Sequence, residues 1–156
     1  MPELLSPSAE ELLQSGFQYA YALTHHHHDA EDLVQTAWLK LHQRYGTVTT
    51  KALFFTIIRN LYIDQYRRRQ RVRFVTLTSE HEPFSASGKT TREETKVAIE
   101  QMLAKLRDIE REALFLHIVE GYSANEIATL TGRPRGTVLS LIHRSRKKLA
   151  ALDAPD

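Results

Sequence analysis

The sequence predicts an all-α fold of two small helical domains, a three-helix domain and a helix-turn-helix domain, joined by a flexible linker. Apolar residues recur at helical spacing over most of the 156 residues, and only six glycines interrupt them. The periodicity disappears after Arg73, where the run HEPFSASGKTT collects Pro, Gly, Ser and Thr as a linker does. We therefore expect an N-terminal domain at 1–72, a linker at 73–92 and a C-terminal domain at 93–156.

The N-terminal domain is predicted to hold three helices, and the ends of the first two are marked by capping residues. Ser8, with Glu11 three residues later, predicts a capped start for a helix that runs to about residue 24. Asp29 is the predicted cap of the second helix, which Gly46 ends. The apolar residues of the second helix recur at helical spacing and should face the core: Leu33, Val34, Ala37, Trp38 and Leu41.

The third helix is predicted to run from about Thr50 to Arg71 and to carry two stripes. The first is apolar and should be buried: Phe54, Ile57, Ile58 and Leu61. The second alternates aromatic and basic residues on another face: Phe55, Arg59, Tyr62 and Tyr66. Rings stack on bases and arginine neutralises phosphate, so this stripe could bind single-stranded nucleic acid. In the alternative, the aromatic residues pack against the first helix and the arginines are only solvated.

Two further helices are predicted at the start of the C-terminal domain. Helical periodicity resumes at Glu93, and a second period begins at Asp108 and continues until Gly121. The apolar face expected in the helix from Asp108 consists of Ile109, Leu114, Phe115, Ile118 and Val119. These helices lead into the part of the chain with the clearest motif.

A short helix, a break containing glycine and a basic helix form the pattern of a helix-turn-helix. Ser123 and Glu126 predict a capping box for the short helix, Gly132 ends it, and Pro134 suits the first turn of the last helix, which should reach about residue 152. The face predicted to be buried in that helix is Val138, Ile142, Ser145 and Leu149. The face that could read a major groove is Gly136, Ser140, His143, Arg144 and Lys147. The flanking cations, which would meet phosphates, are Arg133, Arg135, Arg146 and Lys148.

Charge is unevenly distributed, although the net charge is only +2. Residues 1–39 hold six acids and no lysine or arginine, whereas residues 59–73 hold six arginines against Asp64 alone. Residues 133–148 carry four arginines and two lysines with no acid. Two basic windows of this kind are typical of a chain that binds a polyanion.

Several classes of protein are disfavoured by what the sequence lacks. There is no cysteine, which excludes disulfides, thiolate zinc sites and cysteine nucleophiles. No apolar run approaches the ~20 residues of a membrane span, and no signal-peptide pattern opens the chain. Neither a P-loop, a Rossmann fingerprint nor a catalytic triad is recognisable. We therefore expect a cytoplasmic protein that is not an enzyme, needs no cofactor and does not insert into membranes.

The motifs together resemble one bacterial family. The run from Asp29 to Gln35, DAEDLVQ, resembles the region-two signature of RNA polymerase sigma factors of the extracytoplasmic-function (ECF) group, within the sigma-70 family. IRNLYIDQYRRR, at 58–69, resembles their promoter-melting helix. Glu126-Ile-Ala, Gly136-Thr-Val and His143-Arg resemble their region-four helix-turn-helix. The likeness spans most of the chain, in the right order.

The resemblance implies a dissociable, non-catalytic subunit that directs RNA polymerase core enzyme to promoter DNA. The residues it implies for core binding are Asp29, Glu31, Asp32 and Gln35. Those it implies for the minus-10 element are Arg59, Asn60, Tyr62, Asp64, Tyr66, Arg67, Arg68 and Arg69. The loop from Gly46 to Lys51 would receive an extruded base. Because family members are usually held inactive by an anti-sigma factor, such a partner is also expected.

For the minus-35 element, the last helix is the implied reading element. Its expected contacts, including flanking cations, are Arg133, Arg135, Thr137, Ser140, His143, Arg144 and Lys147. Leu139 and Leu141 stand where relatives often carry lysine and arginine, which predicts the loss of two phosphate contacts.

Two other functions remain open from the sequence. A helix-turn-helix regulator would bind duplex DNA without polymerase. A metal-dependent enzyme would be organised around the four consecutive histidines at 25–28, since imidazole is a common metal ligand. Consecutive residues of a regular helix do not converge on one ion, however, and a polar turn between helices accounts for the histidine run without a metal.

Overall fold

The computed structural model describes residues 8–46, 50–76 and 91–153. Within these ranges the chain forms seven α-helices and no strand, as the sequence predicts. The helices are α1 Ala9–Thr24, α2 His27–Tyr45, α3 Lys51–Thr76, α4 Thr91–Ala104, α5 Asp108–Leu114, α6 Ala124–Thr131 and α7 Arg135–Asp153. None of the helices described here is both long and apolar enough to cross a bilayer.

The first helix begins as predicted, and the second begins earlier than predicted. The Ser8 side chain accepts the Glu11 N–H at 3.1 Å. The cap of α2 is His26, whose Nδ1 accepts the Asp29 N–H at 3.2 Å, so the prediction that Asp29 caps this helix was wrong. The imidazole nitrogen supplies the acceptor that an N-cap needs, and Asp29 lies in the first turn instead. Its carboxylate still sits at the positive end of the helix dipole.

The three N-terminal helices pack around a core that includes Leu12, Leu33, Leu41, Phe54 and Ile58, all buried. Gly16 of α1 lies directly against α3. A Cβ atom at Gly16 would overlap Phe54 Cε2 and lie 3.1 Å from Ile58 Cδ1. Glycine at this position therefore lets the two helix backbones approach each other closely.

The third helix is longer than predicted. Thr50 Oγ1 accepts the Leu53 N–H at 3.1 Å at its start, and the helix continues beyond Arg71 to Thr76. Arginine and glutamine are good helix formers, so the basic run extends the helix rather than ending it. Most of the predicted linker, residues 77–90, lies outside the described residues.

The helix predicted from Asp108 to Gly121 changes register part of the way along. After α5 the chain makes one π-helical turn, Phe115–Val119, in which the Glu120 N–H donates to the Phe115 carbonyl at 3.2 Å. The wider turn rotates the following residues relative to an α-helix. Ile118 and Val119 consequently lie exposed, so the prediction that they belong to the apolar face was wrong.

The helix-turn-helix has the local structure that its sequence predicts. Ser123 Oγ accepts the Glu126 N–H at 3.1 Å, and Glu126 Oε1 accepts the Ser123 N–H at 2.9 Å, which completes the capping box. Gly132 ends α6 in the left-handed region, with φ 71°. The last helix then starts at Arg135.

The N-terminal and C-terminal helices lie against each other across an aromatic cluster. Phe55 is fully buried, and its ring centroid lies 4.6 Å from that of Tyr19, 6.3 Å from Phe115 and 6.5 Å from Tyr122. The prediction that Phe55 belongs to an exposed nucleic-acid-binding stripe was therefore wrong, and at Phe55 the alternative is confirmed, because its ring packs against Tyr19 of α1. Its ring is covered by residues far away in the sequence, which helical periodicity does not reveal.

Candidate nucleic-acid and polymerase interface

The last helix, α7, presents an exposed polar face over a buried apolar one. Val138, Ile142 and Ser145 are buried, and Leu149 is half-buried. The exposed residues include all of the following predicted contacts: Arg135, Gly136, Thr137, Ser140, His143, Arg144 and Lys147. A small residue at the first turn and a mixture of hydroxyl, imidazole and cationic groups beyond it suit a groove that displays both donors and acceptors.

Buried polar contacts fix the orientation of α7. Ser145 Oγ donates to the Leu141 carbonyl at 2.6 Å and lies 3.1 Å from the Glu110 carbonyl. Lys148 Nζ donates to Glu110 Oε1 at 2.7 Å. Burial alone would raise the pKa of Glu110, but the hydrogen bonds from Lys148 and the Arg107 N–H hold it below its usual range. Glu110 is thus charged at neutral pH and ties α7 to α5.

Leu139 and Leu141 of α7, where the loss of two phosphate contacts was predicted, lie in different environments. Leu141 is buried in the core, whereas Leu139 is exposed. A lysine or arginine in place of Leu141 would have to leave this core to meet a phosphate. The burial of Leu141 contradicts the expectation of a lost phosphate contact at that position, and at Leu139 the expectation stays a prediction.

One predicted minus-35 residue, Arg133, points into the protein instead of outward. Arg133 Nη1 donates to Glu112 Oε1 at 2.7 Å, and its side chain is 23% exposed. Glu112 of α5 is 1% exposed and also accepts the Tyr19 hydroxyl at 2.6 Å. Burial, followed by the charge and hydrogen bond of Glu112, raises the pKa of Tyr19 well above its usual value, so the phenol stays protonated as a donor.

Two residues of α3 that were predicted to contact the minus-10 element also bind carboxylates inside the protein. Arg59 Nε donates to Glu112 Oε2 at 2.9 Å, and its side chain is 13% exposed. The Tyr62 hydroxyl donates to Asp108 Oδ2 at 2.8 Å, and burial together with this bond raises the pKa of Tyr62. The structure therefore brings Arg59 of one predicted DNA site and Arg133 of the other onto a single carboxylate.

The rest of the predicted minus-10 surface is open to solvent. Its exposed members are Asn60, Asp64, Tyr66, Arg67, Arg68 and Arg69. Asn60 and Asp64 also line a groove of about 420 Å³ between α2 and α3, together with Lys40 and Arg44. These two cations lie one turn apart near the end of α2, a spacing that sequence reasoning passed over. The loop expected to receive a base, Gly46 to Lys51, includes residues 47–49, which lie outside the described residues.

The predicted core-binding residues form an acidic face on α2. Glu31, Asp32 and Gln35 are exposed, and the Asp29 side chain is 39% exposed and lies 3.9 Å from Arg69 Nη1. Leu39, one turn beyond Gln35, is 61% exposed. Its apolar side chain extends the same face, and the sequence interpretation missed it because Leu39 falls outside the buried periodicity.

The histidine run lies at the start of α2, beside those acids. His27 Nδ1 lies 3.2 Å from Glu31 Oε1, and His28 Nε2 lies 3.6 Å from Asp32 Oδ2. Among the residues that the structure describes, no three histidine, aspartate or glutamate side chains converge as metal ligands would.

Two family descriptions match the chain in order. Sigma-70 region 2 matches residues 9–72, and Sigma-70, region 4 matches residues 96–149. The first covers α1, α2 and most of α3, and the second covers the part with the helix-turn-helix.

Individual proteins are similar over most of this chain. ECF RNA polymerase sigma factor SigE of Mycolicibacterium smegmatis is 31% identical over 155 residues, which are 92% of this chain; the chain spans 60% of the length of SigE. ECF RNA polymerase sigma factor EcfG of Rhodopseudomonas palustris is 32% identical over 142 residues, 86% of this chain and 76% of EcfG.

A solved structure has a similar arrangement of helices. Sigma factor RpoE, in complex with the anti-sigma factor NepR from Bartonella quintana, matches with a TM-score of 0.72 at 28% identity, over 90% of this chain and 91% of that one. The order of the two matched regions, the helix-turn-helix and the identity to EcfG lead to one conclusion. The chain belongs to the ECF group of sigma-70 RNA polymerase sigma factors.

Proposed function

We propose that this chain binds RNA polymerase core enzyme, recognises the minus-35 and minus-10 elements of promoters and promotes DNA melting for transcription initiation. The observation that carries the proposal is the presence in one chain of region 2 and region 4, with two separate exposed surfaces. One is the acidic face of α2, and the other is the polar face of α7. The alternative, a regulator that binds duplex DNA without polymerase, leaves the acidic face and the region 2 match without a role.

The minus-35 element is assigned to α7. Its exposed face offers a small residue, hydroxyls, an imidazole and cations, which are groups that can contact base edges and phosphates in a major groove. Arg135 lies at the first turn, where phosphates would also meet the positive end of the helix dipole. Arg144 lies two turns beyond Gly136 on the same face and is our candidate for a bidentate contact with guanine.

We assign recognition of the minus-10 element to α3 and to the groove beside it. Arg67, Arg68 and Arg69 are exposed and form a cationic end to the helix. The groove between α2 and α3 is lined by Asn60, Lys40 and Arg44 among others, which combines amide and cationic groups around a space of about 420 Å³. An amide can hydrogen-bond the edge of an extruded base, and the two cations can meet its phosphate.

We assign the binding of core enzyme to the acidic face of α2. Glu31, Asp32 and Gln35 are exposed there, and Leu39 adds an apolar contact. A basic helical partner surface would complement this face. Because RNA polymerase is cytoplasmic, we also place the chain in the cytoplasm, as a non-enzymatic subunit. By similarity to RpoE in its complex with NepR, an anti-sigma factor is a further proposed partner.

Reconstitution tests the proposal directly. The purified chain is mixed with bacterial core polymerase, and a library of promoter fragments is selected for binding and then transcribed. We expect transcripts from selected fragments only when chain and core are both present. If the chain binds duplex fragments tightly by itself and never associates with core, the regulator is the better description and the proposal fails.

A further inference from the structure

Three exposed histidines, at 26–28, lie at the start of α2, the helix whose acidic face is proposed above to bind core enzyme. Two of them lie beside the carboxylates of that face. His27 Nδ1 lies 3.2 Å from Glu31 Oε1, and His28 Nε2 lies 3.6 Å from Asp32 Oδ2. Imidazoles and carboxylates therefore share one surface.

The charge of this surface depends on the protonation of the imidazoles. Imidazole is the side chain that ordinarily changes its charge between pH 5 and pH 8. With neutral histidines, the charged side chains in the first two turns of α2 are the carboxylates of Asp29, Glu31 and Asp32. With protonated histidines, three cations stand beside three carboxylates, and the surface loses its net negative charge. A basic partner surface is attracted by the first state and not by the second.

Protonation also removes the N-cap of α2. His26 Nδ1 accepts the Asp29 N–H at 3.2 Å. This contact uses the lone pair of Nδ1, whereas both nitrogens of a protonated imidazole are donors. The first turn of α2 therefore loses the hydrogen bond that fixes its start, and the new cations lie at the positive end of the helix dipole.

Tyrosine and glutamate side chains lie on the α1 side of the histidines. The ring centroid of Tyr21 in α1 lies 6.4 Å from that of His27. Burial, followed by the charge and hydrogen bond of Glu100 from α4, raises the pKa of Tyr21 to about 12. The phenol therefore stays neutral and does not change the charge of the surface as the pH falls.

Arginines of α3 and one buried histidine complete the surroundings. Arg69 Nη1 lies 3.9 Å from Asp29 Oδ2, and Arg68 lines the same shallow groove. An arginine stays cationic throughout this pH range. Burial, followed by the charge of Arg111, lowers the pKa of His25 in the preceding turn, so His25 takes up its proton only in stronger acid. Of these groups, the exposed histidines are the ones that can change the charge of the face near neutral pH.

We propose that His26, His27 and His28 make the acidic face of α2 a proton-sensitive docking surface, which binds core enzyme at neutral pH and releases it as the pH falls toward about 5.5. The proposal deepens the function proposed above and rests on it. Because docking on a basic partner favours neutral imidazoles, binding in weak acid expels protons from this face. Acid inside the cell thus lowers the fraction of the chain that is bound to polymerase.

The test compares the original chain with variants of fixed charge. In the non-titrating variant, His26→Asn preserves a residue that can cap α2, and His27→Gln with His28→Gln keeps neutral polar groups. The cationic variant, His27→Lys with His28→Lys, carries the two charges at every pH. The control is His117→Gln, which removes one imidazole from the C-terminal half. All of these chains retain His25, so acid destabilisation through that residue is common to them.

Binding to immobilised core enzyme is measured by surface plasmon resonance at about pH 7.5 and about pH 5.8, with circular dichroism confirming that each chain is folded. For the original chain and the His117→Gln control, we expect an affinity about tenfold lower in acid, since attraction is lost at two or three charges in contact. The non-titrating variant should lose less than about threefold, and the cationic variant should bind weakly at both pH values.

Two results of these binding measurements would overturn the proposal. One is an equal acid loss in the original chain and the non-titrating variant, which would assign the pH dependence to core enzyme or to other groups. The other is a cationic variant that binds core at neutral pH as tightly as the original chain does.

Proton release provides a readout that a merely structural role of the histidines would not change. Calorimetric titration of core enzyme at about pH 6.5, in two buffers of different ionisation enthalpy, counts the protons released on binding. We expect the original chain to release at least about half a proton more than the non-titrating variant. Equal proton counts in the two chains would contradict the proposal.

Binding at neutral pH separates this inference from the proposed function. If the original chain binds core at neutral pH and loses nothing in acid, the initiation function stands and the proton-sensitive surface fails. If the original chain binds core at neither pH, the initiation function fails, and the docking surface fails with it.

Discussion

His25 shows how a single residue can make stability depend on pH. It occupies the turn between α1 and α2 in the left-handed region, with φ 49°. Its Nδ1 is buried without a hydrogen-bond partner among the described residues, and its ring centroid lies 5.3 Å from that of Tyr21. Burial, followed by the charge of Arg111, lowers the pKa of His25, and Glu100 opposes this shift more weakly. The imidazole is therefore neutral at neutral pH.

Acid should destabilise the fold through His25. Because the pKa is lower in the folded than in the unfolded chain, the unfolded chain takes up a proton first as the pH falls. The stabilisation is complete above about pH 6.5 and is lost as the pH falls through the folded-state pKa. In urea unfolding between about pH 7.5 and pH 5, His25→Asn should show a shallower loss of stability than the original chain, since asparagine tolerates the left-handed region. His28→Asn, an exposed control, should keep the original slope. Equal slopes in all three chains would contradict the assignment.

Arg144 and Arg146 offer a matched pair for separating base reading from phosphate binding. Both are exposed on α7, but only Arg144 lies on the face with Ser140 and His143. With core enzyme and a cognate promoter, Arg144→Ala should lose about 1–3 kcal/mol of discrimination at one base pair. Arg146→Ala should weaken binding to all sequences evenly and reduce the salt dependence. Competition binding with single-base promoter variants measures both effects, and an even loss for Arg144→Ala would assign it to phosphate instead.

At the scale of the helix, signals contained within a few residues were read correctly. Ser8, Gly46 and the Ser123–Glu126 capping box mark ends that α1, α2 and α6 adopt, because each cap contacts its own helix. The π-helical turn at Phe115–Val119 was missed, since it depends on how α5 packs and not on the residues of the turn. The cap of α2 was assigned to Asp29 rather than His26 because histidine is an uncommon capping residue.

Gly16 should be the most sensitive position for the packing of α1 on α3. Alanine favours a helix by about 1 kcal/mol over glycine, but its Cβ would overlap the Phe54 ring and press on Ile58. Because both neighbours are buried, we expect Gly16→Ala to reduce the free energy of unfolding by about 1–3 kcal/mol. Gln18→Ala, at an exposed position of α1, should change it by less than about 0.5 kcal/mol. Urea denaturation measures both, and a stabilised Gly16→Ala would mean that α3 can move away at little cost.

At the scale of the whole molecule, the features that could not be predicted from the sequence depend on contacts between residues far apart in the chain. Glu112 bonds to Tyr19 and Arg59, which lie 93 and 53 residues away in the sequence. No periodicity or spacing links such positions, so the stripe on α3 was predicted to be open although Phe55 and Arg59 are largely covered. The exposed faces of α2 and α7 were predicted better, because a charged face needs no distant partner.

The acidic face of α2 should dominate association with core enzyme. Asp32 is exposed, and its ion-pair neighbour His28 is also exposed, so an arginine at position 32 reverses the charge without disturbing the core of the three-helix bundle. Against a basic partner surface, like charges in contact cost several kcal/mol, and we expect Asp32→Arg to weaken core binding by at least about tenfold. Glu10→Arg, an equal charge reversal at the exposed start of α1, should leave binding within about twofold, because Glu10 is not part of the acidic face and charges outside a direct contact are weakened by physiological salt. Surface plasmon resonance on immobilised core measures both, with thermal unfolding as the check on folding. If the two reversals weaken binding equally, overall charge and not this face governs association; if neither does, α2 is not the docking helix.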